Sequence, residues 1–290
     1  MHVTERIVMK EKIYVTDRGE IHYLTNEIQG SRPTLVLLPG LTADHRLFDK
    51  QIEYFEGKYD LLTWDAPGHA LSRPFDLNIT LDDKARYLHG ILELENIGQP
   101  VLIGQSMGGY VSQCYMDLYP NSAGGFISID SAPLKRKYVT NTEIWLLKRT
   151  EPMYRAFPWE LLKKLGVNGC AKTEYGRRIM KLFVDTYTKD EYCRLAGTGF
   201  KMLADAMESD RPYDIGCPVL LICGERDEAG SAKRYNREWS AKENIPLVWI
   251  PGAGHNSNTD APERVNGLIE EFIRKNILKN SEHITSDSLT

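Results

Sequence analysis

A single serine, Ser106, lies between two glycines at the end of an apolar run in the stretch VLIGQSMGGYVSQCYM. The run before Ser106 is typical of a buried strand, and the residues after it are typical of a helix. A nucleophile at the tip of a strand must turn sharply into the next helix so that its hydroxyl oxygen projects above the sheet. Gly104 and Gly108 have no side chains to obstruct that turn, and Gly109 lets the helix pack closely on the strand. The pattern predicts a nucleophilic serine on a strained strand-to-helix turn.

A serine nucleophile needs a base that takes its proton and an acid that orients the base. His255 follows an apolar run in the Gly-rich segment VWIPGAGHNSN, and Asp227 follows another apolar run in LLICGERDEAG. Both are expected at the same carboxyl edge of a sheet as Ser106. We therefore expect His255 to be the general base and Asp227 to hold its tautomer and stabilise the imidazolium.

Three other acidic residues are alternatives for the acid. Asp130 in ISIDSAP also ends an apolar run, one strand before Asp227. Glu225 and Asp65 are lesser candidates, because a capping or loop role accounts for each of them.

The elements that position these residues alternate along the chain. Six short apolar runs, several closed by Gly or Pro, are typical of strands buried on both faces: TLVLLPG, YDLLTWDAPG, PVLIGQS, GGFISIDSAP, PVLLICGERD and LVWIPGAGH. Residues 6–28 read as an additional strand pair that turns at Gly19. Helical segments with start or stop signals lie between or after the runs, among them one from Thr80 to Gly98, one opening at Ser231 and one with Pro262 in its first turn. The sequence predicts an α/β fold with a mostly parallel sheet flanked by helices.

Residues 134–211 interrupt this alternation, because they contain helical patterns but no convincing buried strand. A segment of this length predicts an inserted helical cap, with residues 1–133 and 212–278 as the core and residues 279–290 as a disordered polar tail. The insertion carries 16 Lys and Arg and 10 Asp and Glu, a net charge of +6 in a chain of −4. This charge is compatible with solvated helix faces or with a weakly positive lid over an anionic substrate.

Composition excludes several classes of protein. Hydrophobic residues make up 42% of the 290 residues and charged residues 26%, and the net charge of −4 gives no basis for nucleic-acid binding. No apolar run is long enough to cross a bilayer and no signal peptide opens the sequence, so we expect no membrane insertion and a cytoplasmic location. The five cysteines lack disulfide or zinc-ligand spacing and are expected to be free thiols.

On these residues the chain resembles the α/β-hydrolase fold superfamily, and in particular its capped, esterase-like members, over residues 6–278. In that superfamily the catalytic order is Ser, then Asp or Glu, then His, which Ser106, Asp227 and His255 follow. Some members place the acid at the position of Asp130. Dehalogenases and epoxide hydrolases of the superfamily have Asp at the position of Ser106, so the resemblance does not extend to them.

The resemblance also implies an oxyanion hole formed by the backbone N–H groups of Met107 and Leu41. The sequence departs from the family in that loop, where Pro39-Gly40 replaces a frequent His-Gly pair. It departs again at Ala70, where Gly is common. Asp44 and His45 follow the Leu41 loop and are candidates for substrate contact, for a lid hinge or for an ordinary surface loop.

The reaction that fits these residues is acyl transfer to water through an acyl-serine intermediate, with no cofactor and no metal. The predicted cap is rich in large apolar residues, most of them expected in its own core and some facing the substrate: Trp145, Leu146, Met153, Tyr154, Phe157, Trp159, Phe183, Tyr187 and Phe200. We therefore expect a small-to-medium carboxylic ester with an apolar portion as the small-molecule substrate. The alternatives are a carbon–carbon bond hydrolase or cofactor-independent haloperoxidase on the same triad, and a ligand-binding protein with slow turnover.

Overall fold

Eight strands form one sheet in the computed structural model, which describes residues 9–278. The strands are β1 (Lys10–Thr16), β2 (Gly19–Thr25), β3 (Thr34–Leu38), β4 (Asp60–Trp64), β5 (Val101–Gln105), β6 (Gly125–Ile129), β7 (Val219–Gly224) and β8 (Leu247–Ile250). Their order in the sheet is β1-β2-β4-β3-β5-β6-β7-β8. The strands from β3 to β8 are parallel, and the β1–β2 hairpin joins β4 in antiparallel orientation. The predicted mostly parallel sheet is confirmed.

Helices cover both faces of this sheet because its central strands are apolar on both sides. Each residue of β3, β4, β5 and β6 is buried. One face packs against α2 (Leu81–Leu94), α3 (Met107–Leu118) and α9 (Ala232–Glu243). The other face packs against α1 (Asp49–Phe55) and α11 (Pro262–Ile273), which follows the short α10 (Ser257–Asp260).

The segment between β6 and β7 lies wholly within the described residues, and it contains five α-helices and no strand. They are α4 (Asn141–Leu147), α5 (Thr150–Ala156), α6 (Trp159–Cys170), α7 (Glu174–Val184) and α8 (Lys189–Glu208). Side chains from α7, including Met180 and Phe183, lie in the same apolar cluster as α11. Side chains from α8, including Met202 and Met207, lie in the cluster on the opposite face. The insertion therefore shares both apolar clusters with the sheet.

Several local predictions differ in detail from the structure. Thr80 caps α2 with a reciprocal bond to Asp83, as its position predicts. The helix ends at Leu94, earlier than predicted, and Asn96 adopts the left-handed conformation expected nearer Gly98. Ser231 precedes α9, yet its hydroxyl donates to Glu143 of the insertion at 2.6 Å instead of capping the helix.

Parts of the predicted first strand and the predicted polar tail fall on residues 1–8 and 279–290, outside the described residues. Across residues 9–278 we find no helix with both the length and the apolar character needed to traverse a bilayer.

Candidate active site

Ser106 occupies the turn between β5 and α3 with φ of 49° and ψ of −116°, a conformation that L residues rarely adopt. Its carbonyl oxygen accepts a hydrogen bond of 2.9 Å from Gly109 N–H, which closes the turn. A Cβ atom at Gly104 would lie 2.4 Å from the Gly109 nitrogen, and one at Gly108 would lie 1.9 Å from the Leu38 carbonyl oxygen. The surroundings of the turn therefore require glycine on both sides of the strained serine.

The structure brings Ser106, His255 and Asp227 into one hydrogen-bonded chain. His255 Nε2 lies 2.8 Å from Ser106 Oγ, and His255 Nδ1 lies 2.9 Å from Asp227 Oδ2. Because an ionised carboxylate only accepts hydrogen bonds, the proton of the neutral imidazole belongs on Nδ1. Nε2 is then the acceptor that faces the serine hydroxyl.

Burial and charge act in opposite directions on His255. Its side chain is 13% exposed, and the Asp227 side chain is fully buried. Burial lowers the pKa of His255, but the charge and hydrogen bond of Asp227, with the charge of Asp130, outweigh it, so the pKa lies above the ordinary 6.5. Asp227 is itself held by Ala229 N–H, which donates to its second oxygen at 2.8 Å.

Asp130, the alternative acid, lies beside this chain and makes different contacts. One of its carboxyl oxygens accepts from Gly224 N–H and the other from Ser257 N–H, each at 2.7 Å. It is buried at the end of β6 with φ of 48°, and burial together with the neighbouring Asp227 raises its pKa. Asp130 thus joins the strand before Asp227 to the segment after His255, and its two oxygens are occupied by backbone donors.

The two N–H groups expected to form an oxyanion hole lie on either side of Ser106. Met107 is the first residue of α3, where a backbone N–H has no acceptor within the helix. The loop that carries Leu41 runs against the serine turn, since a Cβ atom at Gly40 would lie 3.1 Å from Ser106 Cβ. Within residues 9–278, neither N–H donates a hydrogen bond to the protein. Thr42, next to Leu41, has φ of 65°, which is unusual for a β-branched residue.

Gln105, which the sequence analysis did not single out, links these segments. Its side-chain amide donates to the His255 carbonyl oxygen at 2.8 Å and to Asn256 Oδ1 at 3.1 Å. The carbonyl group of the Gln105 side chain packs against the backbone of Gly40. The residue before Ser106 therefore contacts both the loop that carries His255 and the loop that carries Leu41. Its position inside G-x-S is the only sequence signal that marks it.

The remaining candidates make contacts away from His255. Asp65 accepts from the backbone N–H of His45 at 2.9 Å and faces its Nδ1 at 2.9 Å. Asp44 caps the short 3-10 helix His45–Phe48 and pairs with Arg46 at 2.6 Å. Glu225 is exposed, and its carboxylate faces Gly252 N–H at 3.4 Å.

Among residues 9–278, two groups of side chains have potential metal-ligand atoms within 4.8 Å of one another: Asp44, His45 and Asp65, and Asp130, Cys223 and Asp227. The carboxylates in both groups already accept the hydrogen bonds described above.

An aromatic cluster from the insertion lies over the Leu41 loop. Tyr192 is its centre, with ring centroids of Trp159 at 5.4 Å and of Tyr154 and Tyr187 at 6.2 Å. The cluster packs against Leu41, and the Tyr192 hydroxyl lies near the Thr42 side chain. An apolar, aromatic surface therefore adjoins one proposed oxyanion donor.

The apolar residues predicted for the cap divide into two sets. Tyr154, Trp159, Phe183, Tyr187 and Phe200 pack into clusters, whereas Trp145, Leu146, Met153 and Phe157 are exposed.

Part of the insertion's positive charge is matched by acidic residues elsewhere in the chain. Lys135 and Lys137 pair with Glu243 at 3.0 and 3.1 Å. Lys172 pairs with Glu228 at 2.9 Å. These ion pairs match three cations of the insertion with carboxylates outside it.

Residues 35–268 match the alpha/beta hydrolase family, and the chain belongs to that family. The chain is 22% identical to a 2-(acetamidomethylene)succinate hydrolase of Mesorhizobium japonicum, over 90% of this chain and 95% of the relative. It is 23% identical to an (E)-2-((N-methylformamido)methylene)succinate hydrolase of Acinetobacter baylyi, over 92% and 98%. Among solved structures, a thermophilic esterase from Thermogutta terrifontis with malate bound is similar, with a TM-score of 0.73 and 22% identity over 92% of this chain and 98% of the other. The protein is thus an α/β hydrolase by both sequence and fold.

Proposed function

We propose that this protein is a serine hydrolase that cleaves small-to-medium carboxylic esters with an apolar portion, through an acyl-serine intermediate. The observation that carries the proposal is the continuous chain from Ser106 Oγ through His255 to Asp227, with links of 2.8 and 2.9 Å. A serine hydroxyl becomes a useful nucleophile only when such a base removes its proton during attack.

In the proposed reaction, Ser106 Oγ attacks the ester carbonyl carbon while its proton moves to His255 Nε2. Asp227 stabilises the imidazolium, and the N–H groups of Leu41 and Met107 bind the oxyanion. Collapse of the tetrahedral intermediate breaks the bond to the alcohol, which takes the proton from Nε2. Water then attacks the acyl-serine with His255 as base, releasing the carboxylic acid and restoring Ser106.

We further propose that residues 134–211 act as the cap over this site and that residues 1–133 and 212–278 form the hydrolase core. The aromatic cluster around Tyr192 supports this division, because it brings apolar surface of the insertion against Leu41. In this proposal that surface receives the apolar portion of the ester.

A second candidate is hydrolysis of a substrate that carries a carboxylate. The names of two relatives indicate succinate derivatives, and the similar esterase structure contains malate. Lys172 packs beside Gly254 in the loop that carries His255, but its ammonium is paired with Glu228, which counts against its use as the cation that binds such a carboxylate. We therefore place the apolar ester first.

The test is intact-protein mass spectrometry after incubation with a fluorophosphonate, on wild type, Ser106→Ala and His255→Ala. One adduct on wild type, absent from Ser106→Ala and strongly slowed in His255→Ala, is the expected result. An unlabelled but folded wild type would contradict the proposal and favour a ligand-binding role.

The substrate class is then tested with 4-nitrophenyl acetate and butyrate against a 4-nitrophenyl monoester of succinic acid. Faster turnover of butyrate supports the apolar ester, and faster turnover of the succinate monoester supports the second candidate.

A further inference from the structure

The carboxylate of Asp260 joins the insertion to the loop that carries His255. Its Oδ2 accepts a hydrogen bond of 2.8 Å from Gly254 N–H, immediately before His255. Its Oδ1 accepts from the backbone N–H and the hydroxyl of Thr173, at 2.9 and 2.7 Å. Lys172 N–H lies within hydrogen-bond distance of both oxygens, at 3.1 and 2.9 Å. One side chain thus accepts hydrogen bonds from the turn between α6 and α7 and from the loop of residues 251–256 between β8 and α10, which we call the base loop.

A second bond repeats this connection on the other side of His255. Asn256 N–H donates to the carbonyl oxygen of Cys170, the last residue of α6, at 2.9 Å. The residues directly before and after His255 are therefore both tied to residues 170–173 of the insertion.

The packing around Asp260 leaves little freedom for its carboxylate. A Cβ atom at Gly176, in the first turn of α7, would lie 2.6 Å from Asp260 Oδ1. A Cβ atom at Gly254 would lie 2.9 Å from the Cys170 carbonyl oxygen. Glycine at both positions allows the insertion and the base loop to approach this closely.

The base loop needs such an external support. It leaves β8 through Gly252, which has φ of 72°, and Gly254 follows two residues later, so local backbone preference does not define its path. Hydrogen bonds to an ionised carboxylate are among the stronger ones in proteins, and catalytic groups must be placed to within a fraction of an ångström.

We propose that Asp260 is a positioning residue for His255 and that it makes the placement of the base depend on the insertion. The inference rests on the proposed function in assigning His255 as the base. Asp260 touches neither Ser106 nor His255 side-chain atoms in these contacts, and it acts through the backbone at Gly254.

Two substitutions disturb this contact in different ways. Asp260→Asn replaces one accepting oxygen with an amide that cannot accept from Thr173 or Gly254. Gly176→Ala keeps the carboxylate but places a methyl carbon 2.6 Å from Oδ1, which forces the carboxylate to shift. Alanine also favours the helix intrinsically, so Gly176→Ala gives a second route to the test if Asp260→Asn folds poorly.

Each substitution has a matched control in the insertion. Gly169→Ala makes the same change in α6, where no atom lies within 4 Å of the added Cβ. Asp185→Asn removes an exposed carboxylate that pairs with Lys163 and Lys181.

The measurements are kcat and KM for 4-nitrophenyl butyrate, the rate of fluorophosphonate labelling, the melting temperature, and the low-field proton resonance of His255 Nδ1–H. We expect Asp260→Asn and Gly176→Ala to lower kcat and the labelling rate about 100-fold, with KM changed about twofold or less. We expect the low-field resonance to shift or broaden, and both controls to match wild type.

Full kcat and labelling in Asp260→Asn, with or without a lower melting temperature, would overturn the positioning role. An equal loss in Gly169→Ala would do the same, because it would trace the effect to the helices in general. If wild type is not labelled, the proposed function fails, but the positioning role of Asp260 can still be tested by the His255 Nδ1–H resonance. Retention of the wild-type signal in Asp260→Asn would overturn the inference, and loss of the signal would support it.

Discussion

Asp130 and Asp227 lie side by side at the edge of the sheet, with carboxyl oxygens within 4.8 Å of each other, yet only Asp227 contacts His255. Asp130 instead accepts from two backbone N–H groups. Two neighbouring buried carboxyls cannot both ionise without a large cost, which agrees with the raised pKa of Asp130. In the proposed mechanism, Asp227 therefore orients His255, and Asp130 has a structural role.

The two carboxyls should therefore respond differently to removal of charge. Asp227→Asn is expected to lower kcat about 10⁴-fold, because the amide no longer holds the imidazole in its required tautomer. Asp130→Asn should lower kcat about 100-fold or less. It should also reduce the free energy of unfolding by about 1–3 kcal/mol, since one backbone donor loses its acceptor. Steady-state kinetics and urea unfolding of both variants check this. A larger kcat loss in Asp130→Asn would reverse the assignment of the acid.

The pH dependence of catalysis should follow His255. The base must be neutral to accept the serine proton, so kcat/KM rises as pH rises through the pKa of His255 in the free enzyme. Because that pKa is raised, mainly by Asp227 against the effect of burial, the half-maximal point is expected above 6.5. Asp227→Asn should move the residual profile to lower pH. Initial rates between about pH 5 and 9 measure both, and a wild-type midpoint below 6.5 would contradict the expectation.

Gly40→Ala is expected to damage two parts of the site at once. The added Cβ would lie 2.2 Å from Gln105 Oε1, and Gln105 also bonds the His255 carbonyl oxygen. We expect kcat/KM to fall about 10²- to 10³-fold, the range found when one oxyanion donor is lost. Gly98→Ala is the control, because nothing lies within 4 Å of its added Cβ. Wild-type kinetics in Gly40→Ala would show that the loop does not depend on this close approach.

Lys84 should reduce the stability of the fold at neutral pH. It is buried on α2 and forms no ion pair within residues 9–278, and burial lowers its pKa to about 8 from the ordinary 10.5. The unfolded chain therefore binds more protons between about pH 8 and 10.5, so this group makes stability rise with pH across that window. Below pH 8 the full cost of burying the charged ammonium is present. The difference between the ordinary and the lowered pKa corresponds to about 3 kcal/mol.

Lys84→Met removes that cost while keeping the side-chain length. We expect a gain of about 1–3 kcal/mol in the free energy of unfolding at pH 7, and a smaller dependence on pH above 8. Urea unfolding at pH 7 and 9 measures both, with Lys164→Met, on the exposed side of α6, as the control. A loss of stability at pH 7 would mean that the ammonium has favourable contacts in the folded state.

The strand-to-helix turn could be predicted because its causes are local. Gly104 and Gly108 stand next to the backbone they must clear, and the runs before and after Ser106 have clear strand and helix character. The position of His255 and Asp227 at the same edge of the sheet as Ser106 could be predicted almost as well, since each follows the end of a buried strand and parallel strands end at one edge.

The supporting residues could not be predicted because their partners are distant in sequence. Gln105 reaches His255 across 150 residues, and Asp260 reaches Thr173 across 87. Ser231 is at a position typical of a helix cap, but Glu143 of the insertion lies close enough to accept a hydrogen bond from its hydroxyl. A single sequence contains no signal for such contacts until the fold brings the segments together.

The double attachment of residues 170–173 to the base loop bears on how this enzyme could be re-engineered. A chimera that exchanges residues 134–211 for the insertion of a relative keeps the contacts of Asp260 only if the donor sequence has a hydroxyl side chain at position 173 and glycine at position 176. Residue 260 lies outside the exchanged segment, and residues 172, 173 and 176 lie within it. Recombination libraries should therefore treat these positions as one inherited unit, and crossovers that separate them should yield folded proteins with little activity.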